Sequence, residues 1–291
     1  MNNEEKKFTS LMVFAMITWG YSWVGAKILG PYGHVSTKIF LRFFFASIAL
    51  IPILLKYQIP FKIDKKGFIF ILWNSISLCS YNYFYFKSTH MGLAGIGGVL
   101  VTTLNPILTS LFVFSFLDRS SAKLKKIVGL IMGLTGGSII MRLWEMDIAL
   151  MISSGNIFYI LASCSWVSVT IASQKSKTHI HFLTYSFWSF LSASLFSLSF
   201  CEIESISRSI NYDSIYWLNI FLLSIVVMSF ANTMYFFASS KIGAVKASSY
   251  IFVVPLTAII FSKIILNEQI LYTTVLGGVL SVVAVYLINK K

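Results

Sequence analysis

Long apolar stretches alternate with short polar ones along the whole chain, and this pattern predicts its elements. Most of the apolar stretches approach or exceed the ~20 residues that an α-helix needs to cross the hydrocarbon core of a bilayer. There are ten: 11–29, 39–55, 67–86, 93–117, 127–141, 148–173, 180–201, 214–240, 247–266 and 269–289. The longest polar gap, residues 202–213, is predicted to be a loop. We expect an all-α integral membrane protein with ten transmembrane helices.

Two segments share one plan. Residues 92–119 resemble residues 243–268, and each copy carries one proline and ends thirteen positions later at a charged residue. A glycine also stands twenty-three positions beyond each proline. The matched residues are Pro106, Arg119 and Gly129 in the first half, and Pro255, Glu268 and Gly278 in the second. With five helices in each half, the second half must cross the membrane in the opposite sense. We expect two inverted five-helix repeats, residues 1–146 and 147–291, an arrangement common in secondary transporters.

Composition supports a membrane location. The 291 residues are 57% hydrophobic and 11% charged, against roughly 25% charged in soluble domains. The net charge of +13 does not indicate a nucleic-acid partner, because the basic residues punctuate apolar segments instead of clustering. Three widely spaced cysteines, Cys79, Cys164 and Cys201, favour neither a disulfide framework nor a metal site. The expected partners are a small metabolite and the lipid bilayer, without a cofactor, and the oligomeric state stays open.

The distribution of lysine and arginine predicts the orientation. A cytoplasmic N-terminus places sixteen of these residues inside and seven outside, which satisfies the positive-inside rule. The first apolar stretch exceeds the ~7 to 15 residues of a signal-peptide core, so we expect it to remain as a helix. Both termini are therefore predicted to be cytoplasmic, in a bacterial inner (cytoplasmic) membrane.

Several of these positions carry a resemblance to a known family. They are Trp19, Gly20, Gly92, Ala94, Pro106, Gly129, Gly243, Ala244, Pro255, Glu268 and Gly278. At matched spacing in both halves, they resemble the paired EamA-domain pattern of the drug/metabolite transporter superfamily. The resemblance implies ten helices that move small metabolites such as amino acids through a central cavity, lined largely by helices three, four, eight and nine. One departure is Arg119, preceded by Asp118, where the family usually has Glu.

Two equivalent predicted helices carry polar faces. Asn74, Tyr81 and Tyr85 share one face of the third, and Asn232 and Tyr235 one face of the eighth. Such faces are costly in lipid, so they should point towards partner helices or a watered cavity, and both readings stay open. Thr102 and Asn105 before Pro106, and Tyr250 before Pro255, can add donors. The candidate substrate-binding residues are Asn74, Tyr81, Tyr85, Thr102, Asn105, Asn232, Tyr235 and Tyr250.

Charged residues are placed unevenly. All ten acidic residues lie outside or at the rims of the apolar segments, which argues against a buried acidic proton relay, a sodium cage or a pair of catalytic aspartates. Arg42 and Lys87 lie towards the outer ends of their helices and are candidate vestibule residues for a substrate carboxylate or phosphate. Snorkelling to lipid headgroups is the alternative. His179 and His181 have no further ligands nearby, so no metal is expected.

Other positions are interpreted as structural. Gly129, Gly133 and Gly137 are spaced to form a packing groove, and three tryptophans are interpreted as packing or interface anchors rather than a substrate box. The tryptophans are Trp19, Trp23 and Trp166.

These features favour a secondary transporter without catalytic residues. We expect alternating access, with efflux or exchange of a small polar or amphipathic metabolite such as an amino acid. Uptake or exchange of S-adenosylmethionine or a nucleotide-like metabolite is an alternative, and a non-transporting membrane subunit is a further one.

The predicted orientation can be tested with a C-terminal fusion to a reporter that is active only outside the cytoplasm. We expect the fusion to be silent, because an even number of crossings returns the chain to the side on which it starts. An active reporter would contradict the topology.

Overall fold

The computed structural model describes residues 3–117, 124–145 and 147–289, and in these ranges every regular element is helical. The first seven α-helices are α1 (Asn3–Ile28), α2 (Val35–Lys56), α3 (Lys65–Met91), α4 (Ala94–Phe112), α5 (Leu124–Met141), α6 (Ile148–Ser153) and α7 (Asn156–Ser176). The others are α8 (Phe182–Leu198), α9 (Ile203–Ile210), α10 (Ser214–Phe221), α11 (Thr233–Ile242), α12 (Ala244–Ser249), α13 (Val253–Leu266) and α14 (Tyr272–Asn289). Asp118 and Arg119, where the chain departs from the family pattern, lie outside the described residues.

Some α-helices join into longer runs. A π-helical turn, Val113–Leu117, extends α4, and a longer π-helical segment, Leu222–Asn232, joins α10 to α11. A 3₁₀ turn, Tyr250–Phe252, joins α12 to α13. As a result, the predicted apolar stretches 93–117, 214–240 and 247–266 each form one continuous helix.

Six helical runs in the described residues are long and apolar enough to cross a membrane. They are Glu5–Ile28, Val35–Lys56, Ala94–Phe116, Asn156–Ser176, Ser214–Ile242 and Ala244–Leu266. A seventh is possible if α8 and α9, bent by 112° to each other, count as one span. The class of the protein is therefore all-α and membrane-embedded, whereas the ten crossings, the inverted repeats and the division at residue 146 stay predictions.

The predicted helix 148–173 is interrupted. It divides into α6 and α7 at Gly155, whose φ of 78° is in the left-handed region that favours glycine. Gly155 lies one residue before α7 and redirects the chain there. The interruption leaves α7 long enough to span the membrane without α6.

The predicted loop at 202–213 is wrong, because this segment contains α9. One face of α9 buries Ser205 and Ser209, while Ile203 and Ile210 are 85% and 69% exposed. Small serines thus pack inward and large apolar side chains point outward, as expected of a short helix lying against a membrane surface. The polar composition of the segment conceals this pattern.

Aspartate caps begin three of the helices. The carboxylates of Asp64, Asp147 and Asp213 accept hydrogen bonds from backbone N–H groups in the first turns of α3, α6 and α10, at 2.6, 2.7 and 2.9 Å. Such caps satisfy donors that have no partner within the helix. At Asp213 this bond, together with one from the Tyr32 hydroxyl, lowers the pKa of the exposed carboxyl.

Three helices meet where small residues allow it. A Cβ on Gly20 of α1 would overlap the Thr257 side chain, and a Cβ on Gly98 of α4 would overlap the Ala258 Cβ. Thr257 and Ala258 belong to α13, so α1 and α4 both pack closely on that helix. The core surrounding this crossing is built largely from aromatic and aliphatic side chains. We call this meeting point the three-helix crossing.

A second close contact joins α5 to α14. A Cβ added to Gly136 would lie 2.7 Å from the carbonyl oxygen of Gly277. A Cβ added to Gly277 would in turn meet the backbone and side chain of Ile140. Backbone atoms cannot rotate aside as side chains can. Gly133 and Gly137, for which the sequence suggested a packing role, face Ile107 and Leu104 of α4.

Substitution of Gly136 tests this contact. Gly136→Ala should destabilise the protein by about 1–3 kcal/mol, because its methyl group would meet the Gly277 carbonyl and the α14 backbone. The matched control is Gly137→Ala, whose methyl group would meet side-chain atoms of Leu104 and Leu100 at 3.3 and 3.8 Å and no backbone of another helix among its nearest neighbours. Thermal unfolding of the purified variants measures the difference, and equal melting temperatures would contradict the assigned contact.

Candidate functional site

A small central cavity lies beside the three-helix crossing. Its free volume is about 20 Å³, room for about one water molecule. Helices from both halves of the chain line it, through Trp19, Ser22, Trp23, Arg42, Tyr81, Thr102, Asn105, Trp166, Val227, Met228 and Asn232. We call this hollow the central cavity.

Aromatic rings form much of its wall. Trp19 and Trp166 meet edge to face with ring centroids 5.0 Å apart, and Tyr235 packs on both, at 5.1 and 5.5 Å. Tyr81 lies 4.7 Å from Trp166. These contacts place aromatic side chains of α1, α3, α7 and α11 around one point. Such a cluster offers apolar surface together with electron-rich faces that attract cations.

Asn232 connects this wall to the π-helical segment. Its Oδ1 accepts from Trp19 Nε1 at 2.9 Å, and its Nδ2 contacts Met228 Sδ at 3.1 Å. Asn232 is the last residue of the π-helical segment. π-Helical turns widen a helix locally and are frequent at functional sites. Here that turn directs Val227, Met228 and Asn232 to the cavity.

Arg42 brings a fixed positive charge to the cavity. Its side chain is buried, with the residue only 3% exposed. Nη1 donates to Asn82 Oδ1 at 2.8 Å and Nε donates to the Leu223 carbonyl at 3.4 Å. The guanidinium also lies over the rings of Tyr85 and Phe86, at 5.2 and 5.6 Å. All these partners are neutral.

Two further groups at the cavity wall have unused hydrogen-bonding capacity. The buried Oδ1 of Asn105 and Nε1 of Trp166 make no hydrogen bond within the described residues. The Tyr235 hydroxyl, close to that indole, pairs instead with Thr170 Oγ1 at 3.0 Å. One free acceptor and one free donor therefore lie at the same cavity, beside a cation. Buried polar groups without partners are costly, so their clustering indicates a place for a ligand or water.

Hydrogen bonds connect several helices on one side of the cavity, at what we call the Glu268 end. The carboxylate of Glu268 accepts from the backbone N–H groups of Ala94 and Gly95 at 2.9 Å each, and so caps α4 from beyond the end of α13. Lys27 Nζ donates to the Gly92 carbonyl at 2.7 Å, and the Tyr159 hydroxyl donates to the Leu93 carbonyl at 2.8 Å. Residues from both halves of the chain contribute to these contacts.

Aromatic contacts close the opposite side, the Tyr250 end. Phe8 of α1 packs edge to face on Phe237 and Tyr250, at 5.8 and 6.2 Å. Lys241 lies over the rings of Phe8 and Phe237, and Thr9 meets the Tyr250 hydroxyl at 3.5 Å. These are weaker and more exposed contacts than the carboxylate cap at the Glu268 end.

The predicted site residues occupy several places. The cavity brings together Tyr81, Thr102, Asn105 and Asn232, with Arg42, which the sequence placed in a vestibule. Tyr85 and Tyr235 stand behind its wall, where the Tyr85 hydroxyl donates to the Ser22 carbonyl. Five of the ten predicted residues are thus outside the lining, these two tyrosines and three others.

Those three lie apart from it. Asn74 is fully buried, with both amide atoms unpaired in the described residues. Tyr250 belongs to the Tyr250 end, and Lys87 lies 4.4 Å from the Phe158 ring. Sequence reasoning assigned Trp19, Trp23 and Trp166 to packing, yet they line the cavity. Their signal was present, since Trp19 and Trp166 occupy comparable places in the two halves.

A larger hollow of about 610 Å³ opens between α2, α3 and α8. Its walls are mostly apolar, with Phe84, Phe196 and Phe200 among them. Its lining includes polar side chains such as His34, Ser36 and Ser197, but no residue with a fixed charge. The smaller central cavity combines polar groups with the buried guanidinium of Arg42 and is therefore the candidate functional site.

Comparison with known proteins agrees with this architecture. Residues 7–142 and 153–290 each match the EamA-like transporter family. The chain is similar to the uncharacterized transporters YoaV and YvbV of Bacillus subtilis (strain 168), each 24% identical. The YoaV match covers 92% of both chains, and the YvbV match covers 97% of this chain and 91% of that one.

One solved crystal structure superposes with a TM-score of 0.70 at 15% identity, over 98% of this chain and 96% of that one. This likeness supports the fold alone. The two family matches together span most of the sequence. The chain therefore belongs to the EamA-like transporter family and is a multi-pass membrane protein.

Substitution of Glu268 tests the closure at its end. Glu268→Gln should destabilise the protein by about 1 kcal/mol, because the amide keeps one acceptor oxygen but loses the charge and one of the two bonds to α4. The control is Glu204→Gln, whose native side chain is 88% exposed. Thermal unfolding in detergent compares them. An unchanged melting temperature for Glu268→Gln would refute the capping role.

Proposed function

We propose that this protein is a secondary transporter that binds a small polar or amphipathic metabolite, an amino acid or a related compound, in the central cavity. The observation that carries the proposal is the position of this cavity. Polar and aromatic groups from both halves of the chain converge on it, and contacts between helices lie towards each end, at Glu268 and at Tyr250. A binding site between two repeats is where transporters of inverted-repeat architecture hold substrate.

Alternating access follows from the two closures. In the proposed cycle, the contacts at the Glu268 end and those at the Tyr250 end break in turn, so that the cavity opens to one side at a time. Pro106 and Pro255 lie within the helices that cross beside the cavity and allow them to bend. By the proposed orientation, with cytoplasmic termini in the inner membrane, the Glu268 end faces outward.

The lining suits a metabolite with little net charge. None of the lining residues is acidic. The lining therefore offers no carboxylate whose titration would couple transport to protons. We therefore propose facilitated diffusion or exchange, with efflux as the favoured direction. S-adenosylmethionine or a nucleotide-like metabolite is a second candidate, since aromatic rings such as those of Trp19 and Trp166 can stack on a base. Because the free volume is about 20 Å³, either solute requires the cavity to widen.

Counterflow in proteoliposomes tests transport. Purified protein is reconstituted, loaded with unlabelled solutes and assayed for uptake of labelled amino acids, S-adenosylmethionine and nucleotides, with and without an imposed pH gradient. We expect counterflow of at least one solute and no accumulation driven by the gradient. Gradient-driven uphill accumulation would contradict the coupling proposal. Absence of flux for every solute would contradict transport itself and favour a non-transporting subunit.

Two variants connect transport to the cavity. Asn232→Ala and Tyr81→Phe remove polar groups from the lining and should weaken solute affinity by about tenfold, the effect of one lost hydrogen bond of about 1.4 kcal/mol. The control is Asn219→Ala. Asn219 lies on the same helical run as Asn232, and its buried amide accepts from the Tyr21 hydroxyl of α1, but it does not line the cavity. Unchanged affinity in both lining variants would place the substrate elsewhere.

A further inference from the structure

Arg42 is a buried cation without an acidic partner in the described part of the chain. The ion pairs found there involve His34, Arg142, His179 and Arg208, each with a carboxylate near the surface. Arginine stays protonated in proteins, so it cannot relieve this burial by losing its charge. A buried charge is ordinarily paired, and the missing anion calls for an explanation.

The partners that Arg42 does have orient it without neutralising it. Its hydrogen bonds to Asn82 and to the Leu223 carbonyl use two of the five N–H donors of a guanidinium, and the Tyr85 hydroxyl lies close enough to accept from a third. The rings of Tyr85 and Phe86 lie beside the group, with centroids 5.2 and 5.6 Å from Cζ. Held in this way beside the cavity, its fork is suited to a carboxylate, which accepts two parallel bonds from arginine.

The unpaired groups at the wall extend the same pattern. Trp166 Nε1 has a hydrogen to donate, which a second anionic oxygen would accept, while Asn105 Oδ1 requires a donor. The aromatic faces of Trp19, Trp166 and Tyr81 attract a cation. A molecule that carries a carboxylate and an ammonium group on the same carbon, as an α-amino acid does, offers an acceptor for Arg42 and Trp166 and a donor for Asn105.

We infer that Arg42 binds the carboxylate of the transported solute and thereby selects monocarboxylates, zwitterions above all, over solutes without that group. The inference rests on the proposed transport function and names the chemical group that the site recognises. The solute supplies the missing counterion of Arg42, so the loaded cavity is electrically compensated whereas the empty one is not. A multiply charged anion would leave excess negative charge, because Arg42 is the only cationic residue in the described lining.

Lys38 shows what a structural cation looks like in the same helix. It is as buried as Arg42, at 2% exposure, but its Nζ donates to the Leu29 carbonyl at 2.8 Å and so satisfies the end of α1. It does not line the cavity. Lys38→Gln therefore removes an equally buried charge without touching the proposed site, and it is the matched control for Arg42→Gln.

The test measures ligand-induced thermal shifts of the purified full-length protein with matched solute pairs: leucine and leucinamide, phenylalanine and phenylalaninamide, and sodium chloride as a simple anion. Wild type should bind each amino acid about 10- to 100-fold more tightly than its carboxamide, the loss expected for a charged hydrogen-bonded pair. Arg42→Gln should abolish this preference, Arg42→Lys should keep part of it, and Lys38→Gln should keep all of it.

Several outcomes would overturn the inference. They are equal binding of acids and carboxamides by wild type, an intact preference in Arg42→Gln, and stabilisation by chloride equal to that by the amino acids. If Arg42→Gln fails to fold, the partial preference of Arg42→Lys decides, since a purely structural arginine predicts no change in selectivity. Counterflow only of solutes that lack a carboxylate would leave transport standing and remove the role of Arg42, whereas no flux of any solute would remove the transport function itself.

Discussion

The close meeting of α1, α4 and α13 is the constraint on which the rest of the structure depends. Gly20 and Gly98 lack the Cβ atoms that would overlap Thr257 and Ala258, so three helices approach at one level. In a bilayer, where lipid is as apolar as the helix surfaces, such close packing of small residues is a main source of helix association. The crossing also leaves no room beside it for more than about one water molecule, which sets the size of the cavity.

The bilayer also restricts how polar groups around the three-helix crossing are arranged. Every polar atom placed at this depth must pair within the protein or with a ligand. Trp19 and Asn232 pair with each other across the two halves, whereas Asn105 and Trp166 keep unpaired atoms and Arg42 has only neutral partners. Unpaired buried atoms occur elsewhere in the described residues as well, Asn74 among them, but those of Asn105 and Trp166 lie at the site we propose for substrate, where a solute can complete them.

Much of the architecture was accessible from sequence because hydrophobic length and repeated spacing report directly on helices. The cap of Glu268 on α4 was not, since it joins residues 174 positions apart and depends on how two helices dock. The burial of Arg42 was not accessible either, for a local reason. Its apolar stretch starts at Ile39, but α2 begins at Val35, so Arg42 lies two turns, about 10 Å, into the helix.

Helix interruptions were similarly hidden. Gly155 breaks a stretch that reads as continuously apolar, and α9 is rich in serine and charge, so composition alone suggested a loop. The tryptophans at the cavity follow the same rule. Their apolar bulk made packing the natural interpretation, and only the relative rotation of the helices determines that Trp19 and Trp166 face a common space.

The central claim is that the cavity communicates with both sides of the membrane in turn. Its most direct test is the reactivity of Thr102→Cys, a cavity position, in a background without Cys79, Cys164 and Cys201. A membrane-impermeant thiol reagent is applied separately to each face of oriented vesicles. We predict modification from both faces, slowed from both by a saturating transported solute. Modification from one face only, or from neither in protein that transports, would contradict the account.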